Sequence, residues 1–184
     1  MAGTPTPLHF SERWPDDRRV APRDVGDERQ VLTSVLDWHR KTLEVKCAGV
    51  PGERLAERSV PPSTLSLHGL VRHLAGVERW WFQVQFAGED VPLLYYTDEQ
   101  PDLDFDFAET GADPAEDLEV WRAECRKSRA IVAAAPSLDA TGIRKRTGEP
   151  ISLRKILVDM IAEYARHSGH ADLLRERIDG VTGH

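Results

Sequence analysis

Apolar residues recur at three- and four-residue steps in four separate stretches of this chain, and sustained alternation occurs in none of it. That period marks helices with one buried face. The first stretch runs from Asp27 to about Ala48, with Leu32, Val35, Leu36, His39, Leu43 and Cys47 on its stripe. Gly49, Pro51 and Gly52 stop it. The second starts near Ser63 or Ser66, both suitable caps, and carries Leu67, Leu70, His73, Leu74, Val77, Trp81 and Val84 before ending ahead of Gly88. The third opens on Asp113-Pro114-Ala115-Glu116, an acceptor at N-cap, proline at N1 and glutamate at N3. It continues through Leu118, Trp121, Cys125, Ser128 and Val132 to about Ala135. The fourth spans Ser152 to about Ile178, with Gly180 and Gly183 ending it. Four amphipathic helices predict an all-α four-helix bundle, and the long connections permit crossovers.

The connections say less. Residues 1–26 are rich in Pro, Asp and Arg and read as an extended arm, with Phe10 and Trp14 as anchors, ahead of one bundle domain over 27–184. Residues 88–112 read as a long irregular loop holding Tyr95, Tyr96 and four acids between Asp98 and Asp104. Loops of that length in compact domains are often functional. Tyr95 and Tyr96 are candidates for gating a pocket, whereas Trp80 and Trp81 read as packing residues. His68 falls off the second stripe or at its edge, and a short strand or turn is expected at Arg144–Thr147.

Charge narrows the partners. There are 31 acidic against 24 basic residues, a net charge of −7, and the basic residues are interspersed with acids. Neither a nucleic-acid backbone nor an anionic membrane is expected as the main partner. No apolar run approaches the roughly 20 residues of a membrane span, and Met1–Phe10 has no apolar segment of the signal-peptide kind. The two cysteines, Cys47 and Cys125, form no close pair and read as small core residues. A cytoplasmic setting is expected.

The chemistry concentrates in Glu163-Tyr164-Ala165-Arg166-His167-Ser168-Gly169-His170. Helical spacing puts Glu163, His167 and His170 on one face, and Ile156, Leu157, Met160, Ile161, Leu173, Leu174 and Ile178 direct that face inward. An inward carboxylate and imidazoles need a partner. If the second and fourth helices face each other, His73 approaches Glu163 and His167. Three N and O ligands leave an open position, the pattern of a catalytic site. Zinc is the default, and Ni²⁺, Fe²⁺ and Mn²⁺ are compatible. The order is not H-E-x-x-H, so the metalloprotease motif is absent. Spacing alone leaves a surface Glu–His pair and hydrogen-bonded core histidines open as readings. His170 is either a fourth ligand or a group that orients a ligand or moves a proton, and the second is favoured. His39 either approaches the site or is a core histidine; Asp172 reads as a surface acid.

Two motifs carry a resemblance. Ser66-Leu-His-Gly-Leu-Val-Arg-His73-Leu-Ala-Gly-Val-Glu-Arg-Trp-Trp-Phe82 resembles the second-helix signature of the DinB/YfiT-like superfamily of metalloenzymes, in its actinobacterial mini-circle branch. Glu163 to Glu176, followed by Ile178-Asp179-Gly180, resembles that branch's C-terminal signature. The resemblance spans about Asp27 to Gly183. It implies a four-helix bundle with a crossover connection, often a homodimer, and a divalent metal on three ligands: His73, Glu163 and His167. Glutamate in place of the first histidine of the superfamily's usual H-x-x-x-H pair resembles the site of mycothiol-dependent maleylpyruvate isomerase. Asp159 stands where relatives often carry a histidine and reads as peripheral. The isomerase's additional C-terminal domain has no counterpart in these residues, so its recognition residues do not carry over.

The resemblance implies a metal-dependent thiol S-transferase that joins a low-molecular-weight thiol such as mycothiol to a small electrophile. A bound metal would hold the thiol as thiolate near neutral pH, with His170 taking the proton. A non-catalytic metal- or ligand-binding stress protein, or a metal-dependent hydrolase, are the alternatives.

Overall fold

The structure, a computed structural model, describes residue 17 and residues 19–106 and 112–182. Phe10 and Trp14, the expected anchors of the arm, lie outside these residues. The four long helices are α1 (Glu28–Cys47), α3 (Leu67–Glu78), α5 (Pro114–Ala134) and α6 (Leu153–Asp179). Two short helices, α2 (Gly52–Leu55) and α4 (Leu103–Asp106), lie in the connections.

Local chemistry starts each long helix where the sequence predicts. Asp27 and Gln30 form a reciprocal capping box on α1. Ser66 accepts from the Gly69 N–H on α3, Asp113 from the Ala115 N–H on α5, and Ser152 from the Lys155 N–H on α6. Gly180 ends α6 in the left-handed region, at φ 75°, where a residue with a Cβ is strained.

Pairs α1–α6 and α3–α5 form the main packing surfaces, with α3 also touching α6. The core between them holds Leu36 and Leu43 of α1, Leu70 and Leu74 of α3, Trp121 of α5 and Leu157, Met160 and Tyr164 of α6. Burying each large apolar side chain contributes about 1.5–3 kcal/mol. Helix α3 is buried around most of its girth, since α5, α6 and the following loop all cover it.

That enclosure corrects the reading of His68. It is 1% exposed, not at the edge of a stripe, and its Nε2 lies 2.8 Å from Asp117 Oδ2 on α5. A polar network also crosses the core. The Arg40 guanidinium donates twice to Glu78, at 2.8 and 2.7 Å. The Tyr164 hydroxyl donates to Glu78 at 2.8 Å and accepts from the Trp121 indole at 2.9 Å. Glu78 is fully buried, so these partners replace its water.

Beyond Glu78 the helix changes pitch, and Arg79–Phe86 is a π segment. A two-stranded antiparallel hairpin, β1 (Thr141–Ile143) and β2 (Pro150–Ser152), leans on it, with Gly142 opposite Ile151. Residues 144–147 therefore lie in the turn between the strands, not in a strand. A methyl group at Gly142 would collide with the Gln85 carbonyl and the Phe86 Cα, so only glycine permits this approach.

Candidate metal centre

Helix α3 presents His73, and α6 presents Glu163 and His167 one turn apart. Glu163 Oε1 lies 3.2 Å from His73 Nε2 and 3.1 Å from His167 Nε2. One ligand atom from each of the three falls within 4.8 Å of the others, so a closing movement of under about 1 Å would bring all three onto one cation at about 2 Å. The second nitrogen of each ring is also engaged. His73 Nδ1 lies 2.8 Å from Asp104 Oδ2, and His167 Nδ1 lies 3.2 Å from His170 Nδ1. Both imidazoles thus turn Nε2 toward Glu163 and hold Nδ1 on an outer partner, an arrangement that fixes tautomer and orientation in metal-binding histidines. The donor set fits a divalent cation.

The centre lies at the rim of the bundle. The His73 and Glu163 side chains are 24% and 22% exposed, and that of His167 is 9%. Phe105 stacks on the His73 ring at 5.1 Å. A cleft of about 210 Å³ opens beside His73, walled by Val77, Tyr96, Asp104 and Phe105.

The charges at the site shift the titration of its groups. Burial lowers the affinity of His73 for its proton, but hydrogen bonds to Asp104 and Glu163 and their charges outweigh it and raise its pKa to about 9. Hydrogen bonds from His167 and His73 hold the Glu163 carboxyl well below the usual carboxylate range, against its burial. Burial, reinforced by the charges of His167 and Arg166, lowers the pKa of His170, which leaves it neutral near pH 7.

Sequence reasoning missed Asp104. Four acids in a proline-containing stretch offer no period that singles one out. What selects Asp104 is tertiary: the Arg72 guanidinium donates to its backbone carbonyl at 3.0 Å. Arg72 in turn bonds Asp117 at 2.8 Å and lies 4.0 Å from the Tyr95 ring, while the Tyr95 hydroxyl donates to Asp117 at 2.5 Å. Tyr95, with φ 63°, is thus pinned away from His73, and Tyr96 lines the cleft. His39 and Asp159 are not in the ligand group. His39 Nδ1 is buried without a hydrogen-bond partner among the described residues, and Asp159 pairs with Lys155. Asp172 pairs with the buried Lys46 at 2.5 Å.

Residues 31–180 match the mycothiol-S-transferase family. The chain belongs to this family. Membership makes it a mycothiol-related transferase with a thiol partner and agrees with the DinB-like bundle. Among solved structures, a conserved protein from Enterococcus faecalis shares the fold, with a TM-score of 0.63 and 16% identity over 85% of this chain and 100% of that one. No curated protein matches the chain. No described helix of this mycothiol-S-transferase family member is long and apolar enough to cross a membrane. Both cysteines are free and buried. Burial pushes the Cys47 thiol up to about 12 and the Cys125 thiol further still, so neither is a nucleophile near neutral pH.

Proposed function

We propose that the chain is a divalent-metal-dependent thiol S-transferase that joins mycothiol or a similar thiol to a small electrophile. The observation that carries this reading is the convergence of His73 Nε2, Glu163 Oε1 and His167 Nε2 at a partly open rim, in a chain of the mycothiol-S-transferase family. His73, Glu163 and His167 hold the cation. Bound there, it supplies Lewis acidity that keeps a thiol ionised near neutral pH. Asp104 keeps the His73 ring aligned. His170 orients His167 through the Nδ1–Nδ1 hydrogen bond, and accepts the proton released as the thiol ionises by giving up that bond. The cleft beside His73 admits the electrophile, and Phe105 and Val77 shield one side from water. Zinc suits this N and O donor set best, with Ni²⁺, Fe²⁺ and Mn²⁺ compatible.

The test uses full-length protein loaded separately with each metal, mycothiol, and a panel of alkylating and epoxide electrophiles, with thiol consumption as the readout. Metal-dependent consumption that His73→Ala abolishes is expected. If no metal supports a rate above that of His73→Ala with any electrophile, the reading fails. Stabilisation by metal without turnover would then assign a binding role.

A further inference from the structure

The His73 cleft does not end at its own walls. Tyr96, Asp98 and Arg146 line it, and the same three residues line a second cleft of about 340 Å³ that contains Trp80, Trp81 and Arg144. The two are ends of one groove, with the metal centre at one end and paired tryptophans at the other. We propose that the groove binds the polyhydroxylated body of the thiol substrate, with the sulfur end directed to His73. The inference rests on the thiol-transferase reading.

The lining selects this chemistry over others. Trp80 and Trp81 are partly exposed neighbours in the π segment, and both face the groove. Their indole rings add apolar surface to the groove, against which the C–H groups of a sugar ring can pack beside the arginines that lie over them. Arg144 lies 5.6 Å from the Trp81 ring and Arg146 5.8 Å from the Trp80 ring. Among the described residues neither guanidinium is paired with a carboxylate, whereas Arg40, Arg72, Arg79, Arg122 and Arg154 all are.

Guanidiniums alone would select an anion. Asp98, which lines both clefts, opposes one. A guanidinium only donates and a carboxylate only accepts. Side by side they match groups that do both, which are hydroxyls. A purely apolar ligand would leave these charges desolvated without partners. Mycothiol has this character: its cysteine is amide-linked to an amino sugar that carries a cyclitol, so its body is uncharged and rich in hydroxyls.

The arginines are held in place from behind. Gly142 lets the hairpin rest directly on the backbone of Gln85 and Phe86. The Lys145 N–H, between the two arginines, donates to Gln85 Oε1 at 2.8 Å, and the Gln85 side chain is buried. Hairpin and π segment are thus joined at the backbone, which places the arginine and tryptophan Cα positions opposite one another before any ligand arrives.

The experiment compares wild type with Arg144→Ala/Arg146→Ala, using mycothiol and, as a thiol without the sugar body, cysteine, against one bimane electrophile. The ratio of kcat/KM for mycothiol to that for cysteine should fall about tenfold or more. An unchanged ratio overturns the assignment, as does a rise in KM for the electrophile alone. If wild type turns over neither thiol, the catalytic reading fails and the groove is judged separately. Calorimetric titration with S-methyl mycothiol should then show binding by wild type that the double variant weakens by the same factor. Equal binding by both, or binding by neither, overturns it.

Discussion

Arg40→Met tests the buried network that fixes the floor of the bundle. The substitution keeps the apolar stem and removes the guanidinium that neutralises Glu78, a carboxylate with no exposed surface. Breaking a buried pair from one side costs about 3–5 kcal/mol. At roughly 2–4 °C per kcal/mol for a chain of this size, melting falls by about 6–20 °C. The loss depends on pH in a direction the geometry dictates. In wild type, burial favours the protonated acid, but the charge and hydrogen bonds of Arg40 outweigh it and lower the Glu78 pKa from 4.5. That stabilisation is complete above pH 4.5 and fades as pH falls through the lower folded value. Without Arg40, burial prevails and the folded pKa rises. The native state then retains a proton that the unfolded chain has lost, and stability declines as pH climbs above 4.5. The deficit of Arg40→Met, read from urea unfolding, should therefore be smallest in acid, where Glu78 is protonated in wild type as well, already be large at pH 4.5, and grow further toward pH 8. Arg40→Met/Glu78→Gln, which removes both charges and keeps an acceptor for Tyr164, should recover most of the loss. A deficit under about 1 kcal/mol, one that is flat with pH, or a double variant no better than the single one would refute the argument.

Four further outcomes follow, three from the candidate metal centre and one from the hairpin. Divalent-cation affinity of the metal-free protein, measured by chelator competition, should rise about tenfold per pH unit from pH 7 and level off near the His73 pKa of about 9, because binding displaces its proton. Metal-free protein should also lose His73's stabilisation as pH rises through about 9, since a raised imidazole pKa favours the folded state only while the proton stays bound. Asp104→Asn, which leaves the ligands untouched, should weaken metal binding about 10–100-fold, seen in the same competition assay. Gly142→Ala should lower the melting temperature by several degrees, about 1–3 kcal/mol of overpacking, while metal affinity stays within the error of the titration.

What could be read from the sequence was governed by short-range chemistry. Asp27, Ser66, Asp113 and Ser152 each cap a helix because an acceptor meets N–H groups two or three residues away, and that relation is written in adjacent positions. Glu163 and His167 share a face for the same reason, and His73 needed only the assumption that its helix faces theirs. Other features depend on partners distant in sequence. His68 is buried because Asp117 receives it, and Asp104 turns to His73 because Arg72 holds the loop backbone. Nothing in Arg79–Phe86 breaks the helical period, so its π pitch was invisible, and three-residue strands are too short to show alternation.

Asp104 belongs to the same connection as Tyr96 and Asp98, between α3 and α5. One segment thus bonds the candidate ligand His73 and lines the groove. On the proposed metal reading, apparent cation affinity would scale with the fraction of molecules in which Asp104 is bonded to His73. On that reading cation binding and the placement of the groove wall would favour one another, and scarcity of the cation would weaken thiol recognition as well as reactivity.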